Sequence, residues 1–121
     1  MIAHIVLFKP RAGLTSDQIL VFAQQLKKTM AGVETVKRAQ VGKRKSLRPE
    51  DDREFGDTAY EYSAVIEFAD EPGLIEYLNH PLHRELGRLF WENCAKTIVL
   101  EVETVDATTD AVVELLVKTP N

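Results

Sequence analysis

The apolar positions of this chain switch repeatedly between a period of two and a period near that of a helix, and the switches mark out its elements. Ala3-His4-Ile5-Val6-Leu7-Phe8-Lys9 is short, rich in β-branched and aromatic residues and ended by Pro10, which predicts a strand buried on both faces. Alternation sets His4, Val6 and Phe8 on one face and Ile5 and Leu7 on the other. Thr15-Ser16-Asp17-Gln18 has the form of a capping box, and Ile19, Phe22, Ala23, Leu26 and Met30 then recur at helical spacing as far as Gly32. Residues 33–45 predict a second strand, whose closing Lys43-Arg44-Lys45 suits an exposed sheet edge better than a phosphate site. The acid-rich residues 46–57 predict a mobile, solvated loop.

The second half repeats the scheme. Tyr60, Tyr62, Ala64, Ile66 and Phe68 share one face of a strand, and Glu61, Ser63, Val65 and Glu67 the other. Asp70 is placed to cap a helix with the apolar stripe Leu74, Ile75 and Leu78. At His80-Pro81 the chain restarts, because proline suits a first helical turn and disfavours helical geometry at the residue before it. Leu82, Leu86, Leu89, Phe90 and Cys94 line this second segment, and residues 97–105 predict a last strand.

Strand, helix, strand, strand, broken helix, strand is the βαββαβ order of a ferredoxin-like α+β fold, with both helices on one face of a four-stranded, mainly antiparallel sheet. The covered face should be the more apolar one, carrying His4, Val6, Phe8, Tyr60, Tyr62, Ala64, Ile66, Ile98 and Leu100. The other face would carry Glu61, Ser63, Val65, Glu67, Val99, Glu101 and Glu103, too apolar for water and too charged for a dry core. Closing that face against a second copy resolves the conflict and predicts a homodimer. The domain is expected to span residues 1–105. Residues 106–121 form an extension whose run from Ala111 to Val117 fits a helix capped by Asp110 or a strand, packed on its own subunit or the partner.

Composition changes little in this picture. A chain of 121 residues with 45% hydrophobic and 28% charged residues suits one soluble domain. A net charge of −4 argues against general nucleic-acid binding. No apolar run is long enough to span a bilayer, and the N-terminus lacks the basic region of a signal peptide, so a cytoplasmic location is expected. The single cysteine, Cys94, allows no intrachain disulfide, and two neighbouring histidines without a third ligand predict no metal site.

Candidate chemistry gathers around Tyr77-Leu78-Asn79-His80-Pro81-Leu82-His83. His83 reads first as a structural or capping histidine, and is otherwise a candidate pocket acid or base. Tyr77 could orient or protonate a carbonyl or pack in the core, and His4 could be a pocket base or a buried histidine satisfied by a backbone or tyrosine partner. His80 reads as a capping residue, and Trp91 as packing or pocket wall. A pocket between sheet and helices would be walled by Val6, Phe8, Tyr62, Ala64, Ile66, Leu100 and Trp91, and would suit a small apolar or aromatic ligand.

Three pieces stand in a common order: Ile2-Ala3-His4-Ile5-Val6-Leu7-Phe8-Lys9, Ala64-Val65-Ile66-Glu67-Phe68, and Tyr77-Leu78-Asn79-His80-Pro81-Leu82-His83. Together they resemble the stress-responsive A/B barrel domain family across residues 1–105. The resemblance implies a ferredoxin-like dimer whose two sheets meet as an α+β barrel, and most members have no known reaction. One plant member is a polyketide cyclase that works without cofactor or metal. Its catalytic histidine and tyrosine fall on His83 and Tyr77, and a pocket histidine falls on His4. Its other catalytic histidine falls on Tyr62, and a phenol is a poor base near neutrality. The resemblance therefore implies a small-ligand barrel protein or, alternatively, a cofactor-independent proton-transfer enzyme acting on a small carbonyl or polyketide-like substrate.

Overall fold

The structure, a computed structural model, describes residues 1–54 and 60–118. Its elements run β1 (Ile2–Pro10), α1 (Ser16–Gly32), β2 (Val36–Lys43), α2 (Pro49–Glu54), β3 (Tyr62–Phe68), α3 (Glu71–Asn79), α4 (Pro81–Asn93), β4 (Cys94–Glu103) and α5 (Ala111–Val117). The strands form one antiparallel sheet in the order β2-β3-β1-β4, the ferredoxin-like arrangement expected from the element order. The capping box is present: the Gln18 N–H donates to Thr15 Oγ1 at 3.1 Å, and the Thr15 N–H donates to Gln18 Oε1 at 2.8 Å. Residues 46–57 are not simply a loop, because Pro49–Glu54 forms a short helix; residues 55–57 of that expectation lie outside the described residues.

The core lies between the sheet and the layer of α1, α3 and α4. Phe68, Ile66, Ala64 and Tyr77 are buried almost completely, with Val6, Phe8, Phe22, Leu74, Leu86 and Leu89 around them. Three anticipated core positions are exposed instead: Ile19, Ala23 and Ile75. In α3 the inward stripe is Leu74, Tyr77 and Leu78, so the helix is rotated to bury the tyrosine rather than the isoleucine. Thr29, wholly buried, locks the two longer helices together. Its hydroxyl lies 2.8 Å from the Gln25 carbonyl of its own helix and 3.1 Å from the Leu82 carbonyl of α4. The Gln25 side-chain amide donates to the same Leu82 carbonyl at 3.3 Å. These bonds fix the first turn of α4, the turn that carries His83.

The register corrects one sequence expectation. On β1, His4 pairs with Ile66 on one side and Glu101 on the other, Val6 with Ala64 and Val99, and Phe8 with Tyr62 and Thr97. Residues paired directly across strands share a face, so β4 turns Thr97, Val99 and Glu101 towards the helices. Ile98 and Leu100 point to the open face, opposite to expectation. Ile98, Leu100 and Val102 are the more apolar set, but a one-residue shift exchanges the two faces, and the ladder to β1 leaves that set on the open side. The open face is thereby more apolar than anticipated, since Ile98, Leu100 and Val102 lie exposed beside half-buried Ile5, Leu7 and Val65.

Beyond the sheet, the Thr104 N–H donates to the Met1 carbonyl at 2.9 Å, and Asp106 accepts from the Thr108 N–H and hydroxyl. The extension then forms α5, which settles helix against strand, although Asp110 makes no side-chain cap. Among the described residues, no helix is long and apolar enough to cross a membrane.

Candidate functional site

A cavity of about 260 Å³ opens between the helix-covered sheet face and helices α1, α3 and α4. Val6, Leu26, Met30, Ala64, Ile66, Leu86, Phe90 and Val99 make its wall largely hydrocarbon. Its polar groups are few and close together: His4, Tyr77, His83, Thr97 and Glu101. An apolar pocket with a few convergent polar groups is the usual form of a small-molecule site.

Each polar group is held by local structure. His4 sits mid-strand, where the β1–β4 register places Glu101 beside it; its Nδ1 lies 3.0 Å from Glu101 Oε1. A carboxylate only accepts, so Nδ1–H is the donor and the neutral ring keeps its unprotonated nitrogen at Nε2. His83 follows the same logic. Its Nδ1 lies 3.1 Å from the Leu78 carbonyl, which also only accepts, and again leaves Nε2 unprotonated. The break between α3 and α4 makes that bond possible. His80 closes α3 and caps α4, its Nδ1 accepting from the Leu82 N–H at 3.1 Å, and Pro81 opens the new helix. Tyr77 projects from the last turns of α3, which begins on an Asp70 cap.

The three rings form one cluster. Ring centroids are 4.6 Å apart for Tyr77 and His83, 5.7 Å for His4 and Tyr77, and 6.4 Å for His4 and His83. Among the described residues no hydrogen-bond partner is found for the Tyr77 hydroxyl or for Nε2 of either histidine, yet no buried side-chain nitrogen or oxygen is sealed off without one. All three residues line the cavity, and none of these three atoms is sealed from solvent.

Burial sets the protonation states. It pushes His4 below the ordinary imidazole range, against the hydrogen bond and charge of Glu101, which pull it back up. His83 is lowered by burial first and by the neighbouring His4 second, with the Leu78 carbonyl opposing. Burial pushes the Tyr77 phenol well above its ordinary value. Near neutrality the cavity thus holds two uncharged imidazole bases and one phenol that keeps its proton and can donate it in a hydrogen bond. A stability effect follows. Because both folded histidines bind a proton less readily than the unfolded chain, the unfolded state binds more protons as pH falls through about 6.5, and stability falls with it. Urea unfolding at pH 7 and pH 5 should show a lower midpoint at pH 5, and a His4→Gln/His83→Gln variant should show a smaller difference.

The expected site residues do not all meet here. His4, Tyr77 and His83 converge, with Val6, Ala64 and Ile66 as wall. Phe8 and Tyr62 stack on each other with centroids 5.5 Å apart and line a neighbouring, more open cavity of about 540 Å³. Leu100 faces the other side of the sheet and Trp91 is 88% exposed, so neither is part of the His4 cavity. Glu101, expected on the opposite sheet face, is by the register the direct partner of His4. Its signal was the alternation of β4, read in the other phase. Among the described residues, no group of three or more His, Cys, Asp or Glu side chains is placed to hold a metal ion.

Residues 2–104 match the model of the stress responsive A/B barrel domain. The chain belongs to the stress-responsive A/B barrel domain family. No curated protein matches it in sequence. Among solved structures, a protein of Arabidopsis thaliana superposes with a TM-score of 0.73 at 19% identity, covering 88% of this chain and 98% of that one. A hydroxynitrile lyase from Passiflora edulis superposes with a TM-score of 0.68 at 19% identity, covering 87% and 96%. A dimeric ferredoxin-like protein of unknown function from Thermobifida fusca gives 0.66 at 24% identity, covering 85% and 90%. At these identities the likeness is one of fold. The matched residues end just past β4, and α5 lies outside them.

Proposed function

We propose that this A/B barrel protein binds a small, uncharged, largely apolar carbonyl compound between sheet and helices and moves a proton on it without metal or cofactor. The observation that carries the reading is the convergence of the Glu101-held His4, His83 and the Tyr77 hydroxyl on one hydrocarbon-walled cavity. The chemistry follows from the protonation states. An imidazole Nε2 takes a proton from the carbon next to a carbonyl, and the Tyr77 hydroxyl donates to the oxygen as negative charge collects there. The imidazolium that forms at His4 is stabilised by Glu101, which a bare imidazole would lack. Among the described residues no lysine or arginine lines the cavity, so it favours a neutral molecule over a carboxylate or phosphate. One structural neighbour is a hydroxynitrile lyase, so this fold can carry an enzyme. We further propose that the protein is a homodimer joined through its open apolar sheet face, a reading supported by the dimeric state of several neighbours.

The test is to incubate the protein with small aliphatic and aryl ketones in heavy water and follow solvent deuterium entering the α-carbon by NMR. Catalysed exchange is expected for ketones that fit about 260 Å³. A Glu101→Gln variant should keep the bond geometry, lose the charge, exchange about tenfold more slowly and shift its pH profile to lower pH. Glu101→Asp should recover part of the rate. Binding of these ketones with no exchange at any pH would reduce the function to ligand binding. That second reading is favoured by Tyr62, which stands where a cyclase would need a histidine and is turned towards Phe8.

A further inference from the structure

The helix that follows the domain presents an apolar stripe to solvent. In α5, Val113, Leu116 and Val117 stand at positions i, i+3 and i+4, which puts them on one side of the helix, and they are 56%, 75% and 72% exposed. No residue of α5 is fully buried in the protomer. A soluble chain seldom leaves such a stripe uncovered.

The path of the chain says what covers it. β4 contributes Ile98, Leu100 and Val102 to the exposed apolar sheet face. Its ladder to β1 continues one residue past the strand, through the Thr104 N–H to the Met1 carbonyl. Val105 is likewise exposed, and a short turn at Asp106–Asp110 delivers the chain to α5. The stripe is thus connected, through a few residues anchored at the sheet's end, to the face on which the proposed dimer forms. The structure assigns α5 to the partner: we infer that the stripe Val113-Leu116-Val117 packs on a second copy of this chain and extends the sheet-to-sheet interface as a clasp. By two-fold symmetry each helix holds the other protomer, so the clasp is made twice per dimer. The inference rests on the dimer proposed above.

Sedimentation equilibrium of the full chain separates the two. The chain should be dimeric, and Leu116→Asp should weaken the dimer at least about tenfold, since losing burial of a leucine side chain at each of two symmetric sites exceeds that factor. Leu100→Lys, on the sheet face, should dissociate it whatever α5 does. A monomeric wild-type chain would overturn the dimer itself. A dimer unaffected by Leu116→Asp but dissociated by Leu100→Lys would leave the dimer standing and overturn the clasp. The partner assignment has its own readout. With a photo-crosslinking residue at position 116 in unlabelled protein mixed with 15N-labelled protein, light–heavy products are expected, and exclusively intrachain products would overturn it.

Discussion

His4→Gln is expected to lower deuterium exchange into a fitting ketone by about 10²–10⁴-fold, the usual contribution of a positioned acid or base. The size follows from the asymmetry between the two histidines. His83 leans on a neutral backbone carbonyl, whereas His4 leans on a carboxylate, so only His4 gains a charged partner as it takes up the proton. The two rings are close enough that the second proton is resisted by the first, and the site works as a one-proton device. His83→Gln should cost less than His4→Gln, and the double variant little more than His4→Gln alone. Glutamine keeps a polar side chain of similar reach, so circular dichroism should show an intact fold. If exchange survives His4→Gln at full rate while His83→Gln abolishes it, the base has been assigned to the wrong ring.

Phe68→Ala should carry the largest stability effect, a loss of about 3–5 kcal/mol in chemical denaturation, the range for emptying a buried aromatic site. Phe68 is 0% exposed, pairs with Ile2 across β1 and with Val36 across β2, and its ring lies 5.2 Å from that of Tyr77. For a domain whose total stability is about 5–15 kcal/mol, such a loss removes a large share of it. The ring also supports the floor of the site, so a milder Phe68→Leu should weaken ketone binding through displacement of Tyr77 before it unfolds the chain. A Phe68→Ala midpoint within error of wild type would mean that the core around Phe68 is not packed as described.

Most of the architecture was legible in the residues, and the exceptions have identifiable causes. β1 and β3 alternate or run apolar without ambiguity, so the faces of Val6, Ala64 and Ile66 follow from the pleat. The Thr15 capping box and the His80-Pro81 break are local signals that need no tertiary context. β4 was legible as a strand but not in phase, because Thr97, Val99 and Glu101 are no more polar as a set than a half-buried face requires. Its phase was decided by the ladder to β1, a pairing across 97 positions of chain that no local pattern records. That single uncertainty hid Glu101 and misplaced Leu100. Trp91 departs from expectation for a different reason: its neighbour Phe90 faces inward, where it meets the rings of Phe8 and Phe22, and one helical step carries Trp91 out to solvent. For α5 the valines leave helix and strand equally open, and among the described residues no strand pairs with it.

Long-range 1H–15N NMR of the imidazole rings tests the central claim most directly, because it reports tautomer and charge ring by ring. At pH 7 His4 and His83 should both be neutral and protonated at Nδ1, and adding a fitting ketone should move both Nε2 resonances. Either ring charged at pH 7, either protonated at Nε2, or both unmoved by every ketone tried would contradict the site as drawn.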